Sequence, residues 1–205
     1  MTWFLFLLAY LLGSIPTALF FGKYFFKIDI REHGSNNPGA TNTLRVLGKK
    51  AAIVVLLVDV GKGALASLLP AMFSVQIDPL YFGLVAVIGH CFPVFAGFRG
   101  GKAIATTAGV LLVSNIWMFV IAYTSFFLVI SLTKYVFFGS ISVGISLFIF
   151  SLIQQDTFYS IVFALFTIFL IFLHRSNIRN FINKEEPKIN DKRIKNDRIN
   201  PPASL

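Results

Sequence analysis

Five stretches of this chain run on without a single Lys, Arg, Asp or Glu: residues 3–22, 79–98, 103–133, 135–153 and 157–173. About 20 apolar residues carry an α-helix across a bilayer core. A water-soluble domain has too little interior to hide so many runs of that length. A membrane β-barrel would instead show short segments alternating polar and apolar residues, and these runs do not alternate. With 56% hydrophobic and 13% charged residues over 205 positions, the chain reads as all-α: a polytopic integral membrane protein. The first run has no basic segment before it and no small-x-small cleavage site after it, so it is expected to stay as a transmembrane helix. One cysteine, Cys91, excludes an internal disulfide framework.

The run 103–133 is 31 residues long, more than one ordinary span and less than two full ones. Its one polar break is "SNIW", residues 114–117, which predicts two short helices over about 103–117 and 118–133. With 3–22, about 48–74, 79–97, 135–153 and 156–174, the count is seven. A five-span arrangement with segments folded back into the membrane is the alternative. Seven spans with the N-terminus outside put every inter-span base on the inner side. The inner side receives Lys23, Lys27, Arg31, Arg45, Lys49, Lys50, Arg99, Lys102, Lys134 and the tail, and Lys62 alone lies within a span. The expected arrangement is therefore multi-pass, with the N-terminus outside and the C-terminus cytoplasmic. The net charge of +9 reports orientation by this distribution, not nucleic-acid binding. Residues 1–183 form the expected transmembrane domain. Residues 184–205 are a charged, proline-containing tail expected to be disordered, either solvated or touching anionic lipid.

This topology gathers three polar stretches on one face. "GSNNPGATNTLRVLGKK", residues 34–50, offers glycines for unusual backbone geometry, hydroxyl and amide donors, and Arg45 with a fork suited to phosphate. It lacks the Walker spacing, and as composition alone it fits either an anion cradle or a plain turn between helices. "RGGK", residues 99–102, opening a helix at Ala103, fits a phosphate contact or an interfacial turn with snorkelling cations. Upstream of it His90 sits inside an apolar helix, where an ionisable group is a functional candidate. "HRSNIRNF", residues 174–181, is the third stretch. Within the second apolar segment, "DVGKG" sets Asp59 and Lys62 at i and i+3, placed to form a structural ion pair or to meet substrate.

The first stretch, "DVGKG", "GHCFPVFAGFRGGKAIAT" and "HRSNIRNF", in this order and at these intervals, resemble the acyl-phosphate:glycerol-3-phosphate acyltransferase family of bacteria, PlsY. The resemblance covers residues 1 to about 183. It implies an enzyme of phospholipid synthesis that moves a fatty acyl group from acyl phosphate to the 1-position of glycerol 3-phosphate, giving lysophosphatidic acid and phosphate. It implies no metal or other cofactor, and a functional link to the enzyme that makes acyl phosphate. The family's glycine-rich phosphate hole matches Asn37, Gly39, Ala40, Thr41 and Asn42. Its catalytic and substrate-binding residues match Ser35, Arg45, His90, Lys102, His174 and Asn177, with Arg99 as a further base. Two positions depart from the pattern: Asn36 stands where G-S-G-N has its second glycine, and Ala103 where G-G-K-G has its last.

The chemistry suits these residues. Acyl phosphate is a mixed anhydride with a good leaving group. The protein has mainly to align two phosphates and an alcohol and to stabilise an oxyanion. His90, His174 or the donor's own phosphate are the candidate bases, and Ser35 is a candidate hydrogen-bond donor or acyl carrier. Two other classes compete. A transporter of phosphorylated metabolites would show internal repeats, and none is evident. Another lipid enzyme would show an H-x-x-x-x-D or paired-aspartate signature, and the residues five after His33, His90 and His174 are Pro38, Phe95 and Arg179.

Overall fold

The computed structural model describes residues 1–191 and 196–202; the expectation of a disordered tail over 192–195 and 203–205 lies outside the described residues. All regular structure described is helical. The α-helices are α1 (Thr2–Gly13), α2 (Thr17–Phe21), α3 (Ala40–Val46), α4 (Lys49–Met72), α5 (Pro79–Cys91), α6 (Ile104–Ser114), α7 (Ile116–Thr133), α8 (Val136–Ile153), α9 (Thr157–Leu173) and α10 (Arg175–Ile182). By length and hydropathy, α4, α5 with its turn to Ala96, α7 and α8 each suffice to cross a bilayer. Two bent pairs add to these: α1 with α2 and the turn after it, bent by 42°, and α9 with α10, bent by 56°. Large apolar side chains point outward along the helices, among them Trp3, Phe127, Leu132 and Ile153. Only 11% of the span in α7 is buried within the protein, so lipid is the solvent that suits this surface.

Two details of the sequence reading need correction. The first apolar run is not one continuous helix. It breaks over Ser14–Pro16, because Pro16 has no N–H to continue the ladder and its ring crowds the preceding turn. Nor does a helix open at Ala103; α6 begins at Ile104. The break within 103–133 falls at Asn115, whose carboxamide oxygen accepts from the N–H groups of Trp117 (2.9 Å) and Met118 (3.2 Å) and so caps α7.

The described residues form two compact units, residues 1–114 with 196–202, and residues 115–191. In the first, α4 packs on α6 through glycines at which the backbones nearly touch. A Cβ on Gly63 would lie 2.1 Å from the Thr106 carbonyl oxygen, and one on Gly109 would lie 1.8 Å from that of Val60. Leu5, Ala9, Ala66, Leu69, Phe82 and Ala86 close a core where α1, α4 and α5 meet, and Phe6 stacks on Phe82 at 4.2 Å. A second core of Ala18, Ile30, Val46, Leu47, Ala51 and Val55 backs the polar loop before α3. In the second unit α7, α8 and α9 run as successive antiparallel neighbours, and α10 lays Phe181 against Tyr135, at 5.1 Å between ring centroids.

Candidate active site

The polar loop is shaped by Asn42. This side chain, 1% exposed, accepts the N–H of Ser35 at 2.8 Å on its oxygen. It donates both amide hydrogens inward, to the carbonyls of Ile30 (3.2 Å) and His33 (3.0 Å). The residue expected to donate to substrate thus has its donors committed to the loop itself, and its part is to hold the curve of residues 30–35. Gly34, at φ +61°, passes so close that a Cβ would lie 2.4 Å from that same oxygen. Asn36 follows at φ 58°, a left-handed geometry that asparagine tolerates better than most residues. Ser35 and Thr41 are exposed on the loop and at the start of α3, while Asn37, Gly39 and Ala40 are half-buried. The Gly39 N–H is taken by the Asn37 carbonyl at 2.9 Å. Arg45, one turn beyond Thr41, is half-buried and pairs through Nε with the Asp197 carboxylate.

The "RGGK" turn folds back over the end of α5. The Gly100 and Gly101 N–H groups donate to the carbonyls of Cys91 and His90, each at 3.1 Å. Both glycines are sterically required. A Cβ at Gly100 would lie 2.0 Å from the His90 carbonyl oxygen, and one at Gly101 would lie 2.2 Å from His90 Nε2. Gly97, Phe98 and Ala103 all take positive φ, 62°, 59° and 65°. The Ala103 departure from the family's glycine therefore falls on a left-handed position. Arg99 is exposed and Lys102 half-buried.

Beneath these two segments lies a buried polar cluster. Asp59 Oδ1 is 2.9 Å from Lys62 Nζ, accepts the Thr17 hydroxyl at 3.0 Å and lies 3.8 Å from His90 Nδ1. Lys62 also donates to the Ile15 carbonyl at 2.9 Å, a group left without a helical partner by the break at Pro16. All four side chains are less than 10% exposed. They underlie a small cavity that Pro38 of the loop and Arg99 and Gly101 of the turn complete. His90 thus sits below the turn and braces it. The loop and the turn meet through Arg31, which donates from Nη1 to the Ala96 carbonyl at 2.8 Å. That contact ties together the residues that lead into the two stretches within the first unit.

His174 and Asn177 lie in the second unit, where α9 turns into α10. His174 is buried, with Nδ1 2.8 Å from the Leu170 carbonyl. A carbonyl only accepts, so in that contact Nδ1 is the donor. Asn177 donates to Glu186 Oε1 at 2.7 Å. The sequence reading gave no site role to Thr17, Asp29 or Glu186, and took Arg31 only as an inner-side base. The D-x-R spacing just before the loop was a visible signal for Asp29 and Arg31; for Thr17 there was none.

Fold and sequence together define a polytopic helical membrane protein whose first unit carries a glycine-, asparagine- and base-rich loop and turn over a buried polar cluster. The chain belongs to the glycerol-3-phosphate acyltransferase family, whose model matches residues 3–184. It is 51% identical over 185 residues to the glycerol-3-phosphate acyltransferase of Bacillus subtilis (strain 168), covering 90% of this chain and 96% of that one. Its fold is similar to two crystal structures of PlsY, an integral membrane glycerol 3-phosphate acyltransferase. The glycerol 3-phosphate form is 34% identical and the lysophosphatidic acid form 33%. Each superposes with a TM-score of 0.77 over 91% of this chain and 94% of the other.

Proposed function

We propose that this chain transfers a fatty acyl group from acyl phosphate to the 1-hydroxyl of glycerol 3-phosphate at the cytoplasmic face of a bacterial membrane. The products are lysophosphatidic acid and inorganic phosphate. The acceptor and the product are supported by the glycerol 3-phosphate and lysophosphatidic acid forms of the PlsY structures it resembles. The donor is supported by the site. The residues that lead into the loop of residues 34–42 and the turn of residues 97–103 are joined by the Arg31–Ala96 bond, and that bond is the observation that carries the reading.

In this reading Arg45 and Lys102 hold phosphoryl oxygens, Ser35 and Thr41 offer hydroxyls, and Arg99 draws anions toward the recess. Asn37, Gly39 and Ala40 line the phosphate hole, and Asn42 keeps it open. His90 acts through Gly101 by setting the height of the turn, with Asp59 and Lys62 fixing the floor. The acceptor oxygen attacks the acyl carbon, a C–O bond forms, and the anhydride C–O bond breaks. The hydroxyl proton passes to an oxygen of the departing phosphate, which needs it as charge develops there. For His174 and Asn177 the proposal rests on the family motif, and alanine substitutions test each. The apolar tail of the donor stays in lipid, which accounts for placing such a site on a membrane bundle.

The deciding experiment supplies the purified protein with glycerol 3-phosphate and either acyl phosphate, acyl-coenzyme A or acyl carrier protein. Lysophosphatidic acid is expected from the first donor alone. Comparable rates from acyl-coenzyme A with no acyl phosphate present would overturn the donor assignment. Orientation is tested by thiol labelling of cysteines placed at Ser74, Gln155 and Ser176 in a Cys91→Ala background. Labelling of position 176 from outside intact cells would reverse the topology.

A further inference from the structure

Arg31 engages all three of its guanidinium nitrogens. Its Nε and Nη2 grip the two oxygens of Asp29 at 2.9 and 2.7 Å. Its backbone N–H adds a third bond to Asp29 at 3.0 Å. Its remaining arm, Nη1, reaches 65 residues along the chain to the Ala96 carbonyl at 2.8 Å. The two side chains are only 13% and 18% exposed. The bidentate carboxylate fixes the plane of the guanidinium, so the direction of Nη1 is set before it meets Ala96.

The two ends of this clamp matter because each leads directly into one of the two polar segments. Three residues after Arg31 comes Gly34, where the loop shaped by Asn42 begins. Immediately after Ala96 come Gly97 and Phe98, both at positive φ, and then Arg99 to Lys102. Phe98 in that conformation is strained, and strained backbone persists only where its surroundings over-determine it. Pro93, Cys91 and His90 anchor the turn to its own helix; Arg31 fixes it relative to the loop.

We propose that Arg31, oriented by Asp29, is a positioning residue for acyl transfer that holds the turn of residues 97–103 in register with the loop of residues 34–42. This rests on the reading that both segments grip substrate phosphates. The clamp touches no substrate. It sets the distance between the Arg45 side of the recess and the Lys102 side, and a geometry built for two phosphates and an alcohol in line does not tolerate drift.

The test separates the clamp from the activity. Spin labels go on the exposed positions 32 and 98 in a Cys91→Ala background, and their distance distribution is measured by pulsed electron resonance. Turnover of acyl phosphate and glycerol 3-phosphate is followed in parallel. In the otherwise native protein the distribution should be narrow. Arg31→Ala should broaden it and cut kcat/KM for acyl phosphate at least tenfold in protein that still folds, with a melting temperature lowered by the loss of the Asp29 pair. Arg31→Lys should not restore either, because an ammonium cannot grip Asp29 and reach Ala96 together. Added guanidinium should partly narrow the distribution and restore rate in Arg31→Ala. Should Arg31→Ala fail to fold, Asp29→Asn, which frees the fork and keeps the Arg31 charge, carries the same measurement. A distribution in the variants as narrow as the native one overturns the clamp, whether or not activity falls. If the native protein makes no lysophosphatidic acid, the proposed function fails, and the distances still decide the clamp.

Discussion

Asp197 of the C-terminal tail pairs with Arg45, the guanidinium assigned to substrate phosphate. Its neighbours support the contact. The Ile199 N–H donates to the Val46 carbonyl at 2.9 Å, Ile199 packs on the core behind α3, and Arg198 reaches the Leu44 carbonyl at 3.4 Å. This segment lies beyond residue 184, where the family match ends. A carboxylate on Arg45 competes with a phosphate there. Half-exposed ion pairs contribute roughly 0.2–1 kcal/mol, so Asp197→Asn should lower the KM for acyl phosphate by about 1.4- to 5-fold, with kcat held. A raised KM would make the tail contact supportive rather than competitive.

Arg45→Ala and Lys102→Ala should each lose most activity while the protein stays folded. Removing a hydrogen bond to a charged group costs roughly 1.5–3 kcal/mol, which is about ten- to over a hundredfold in rate. Arg45→Lys should also be impaired, since a point charge does not reproduce the planar fork. Normal kinetics in both alanine variants would remove the site assignment.

Lys62→Ala should damage the fold before the chemistry. It would leave Asp59 buried with the Thr17 hydroxyl as its short hydrogen bond, and breaking a buried pair on one side costs about 3–5 kcal/mol. A large fall in melting temperature in detergent is expected, and adding Asp59→Asn should recover part of it. A well-folded Lys62→Ala protein with a raised KM for glycerol 3-phosphate would instead make Lys62 a substrate contact.

Ala103→Gly should stabilise the protein. At φ 65° a Cβ costs roughly 1–2 kcal/mol relative to glycine, less what the added freedom of the unfolded chain takes back. Gly101→Ala should do the reverse and abolish activity, because its Cβ would fall 2.2 Å from His90 Nε2. Thermal melts and turnover of the two variants measure this opposition.

The Asp29–Arg31 pair should hold through the physiological range. Hydrogen bonds from Arg31 lower the Asp29 carboxyl from 3.8 to about 2, with Lys23 adding to the pull and burial opposing it. A depressed carboxylate stabilises the fold above its unfolded value and loses that contribution as pH falls through the folded one. Stability should therefore be insensitive to this group above about pH 5 and should decline between about 4 and 2. Asp29→Asn should flatten that part of the acid melting curve. An unchanged curve would mean that the carboxyl is not held down.

Class and family were legible in the chain itself. Charge-free runs of about 20 residues fix a helical membrane protein because lipid accepts no unsatisfied backbone and no unpaired charge. The motif loop, the turn and their glycines were legible because few other residues permit left-handed geometry or close backbone approach. Tertiary structure decided what those residues do. Asn42 is the loop's hub because two carbonyls from residues 30 and 33 happen to face it. His90 braces the turn because α5 ends where Gly101 returns. Thr17 and the Ile15 carbonyl meet Asp59 and Lys62 because Pro16 breaks the first run and opens its backbone toward α4. Arg31 finds Ala96 across 65 residues. Local pattern dictates helix, break and turn through short-range sterics. Which donor meets which acceptor depends on segments far apart in the chain, and only their packing brings those atoms within hydrogen-bond range.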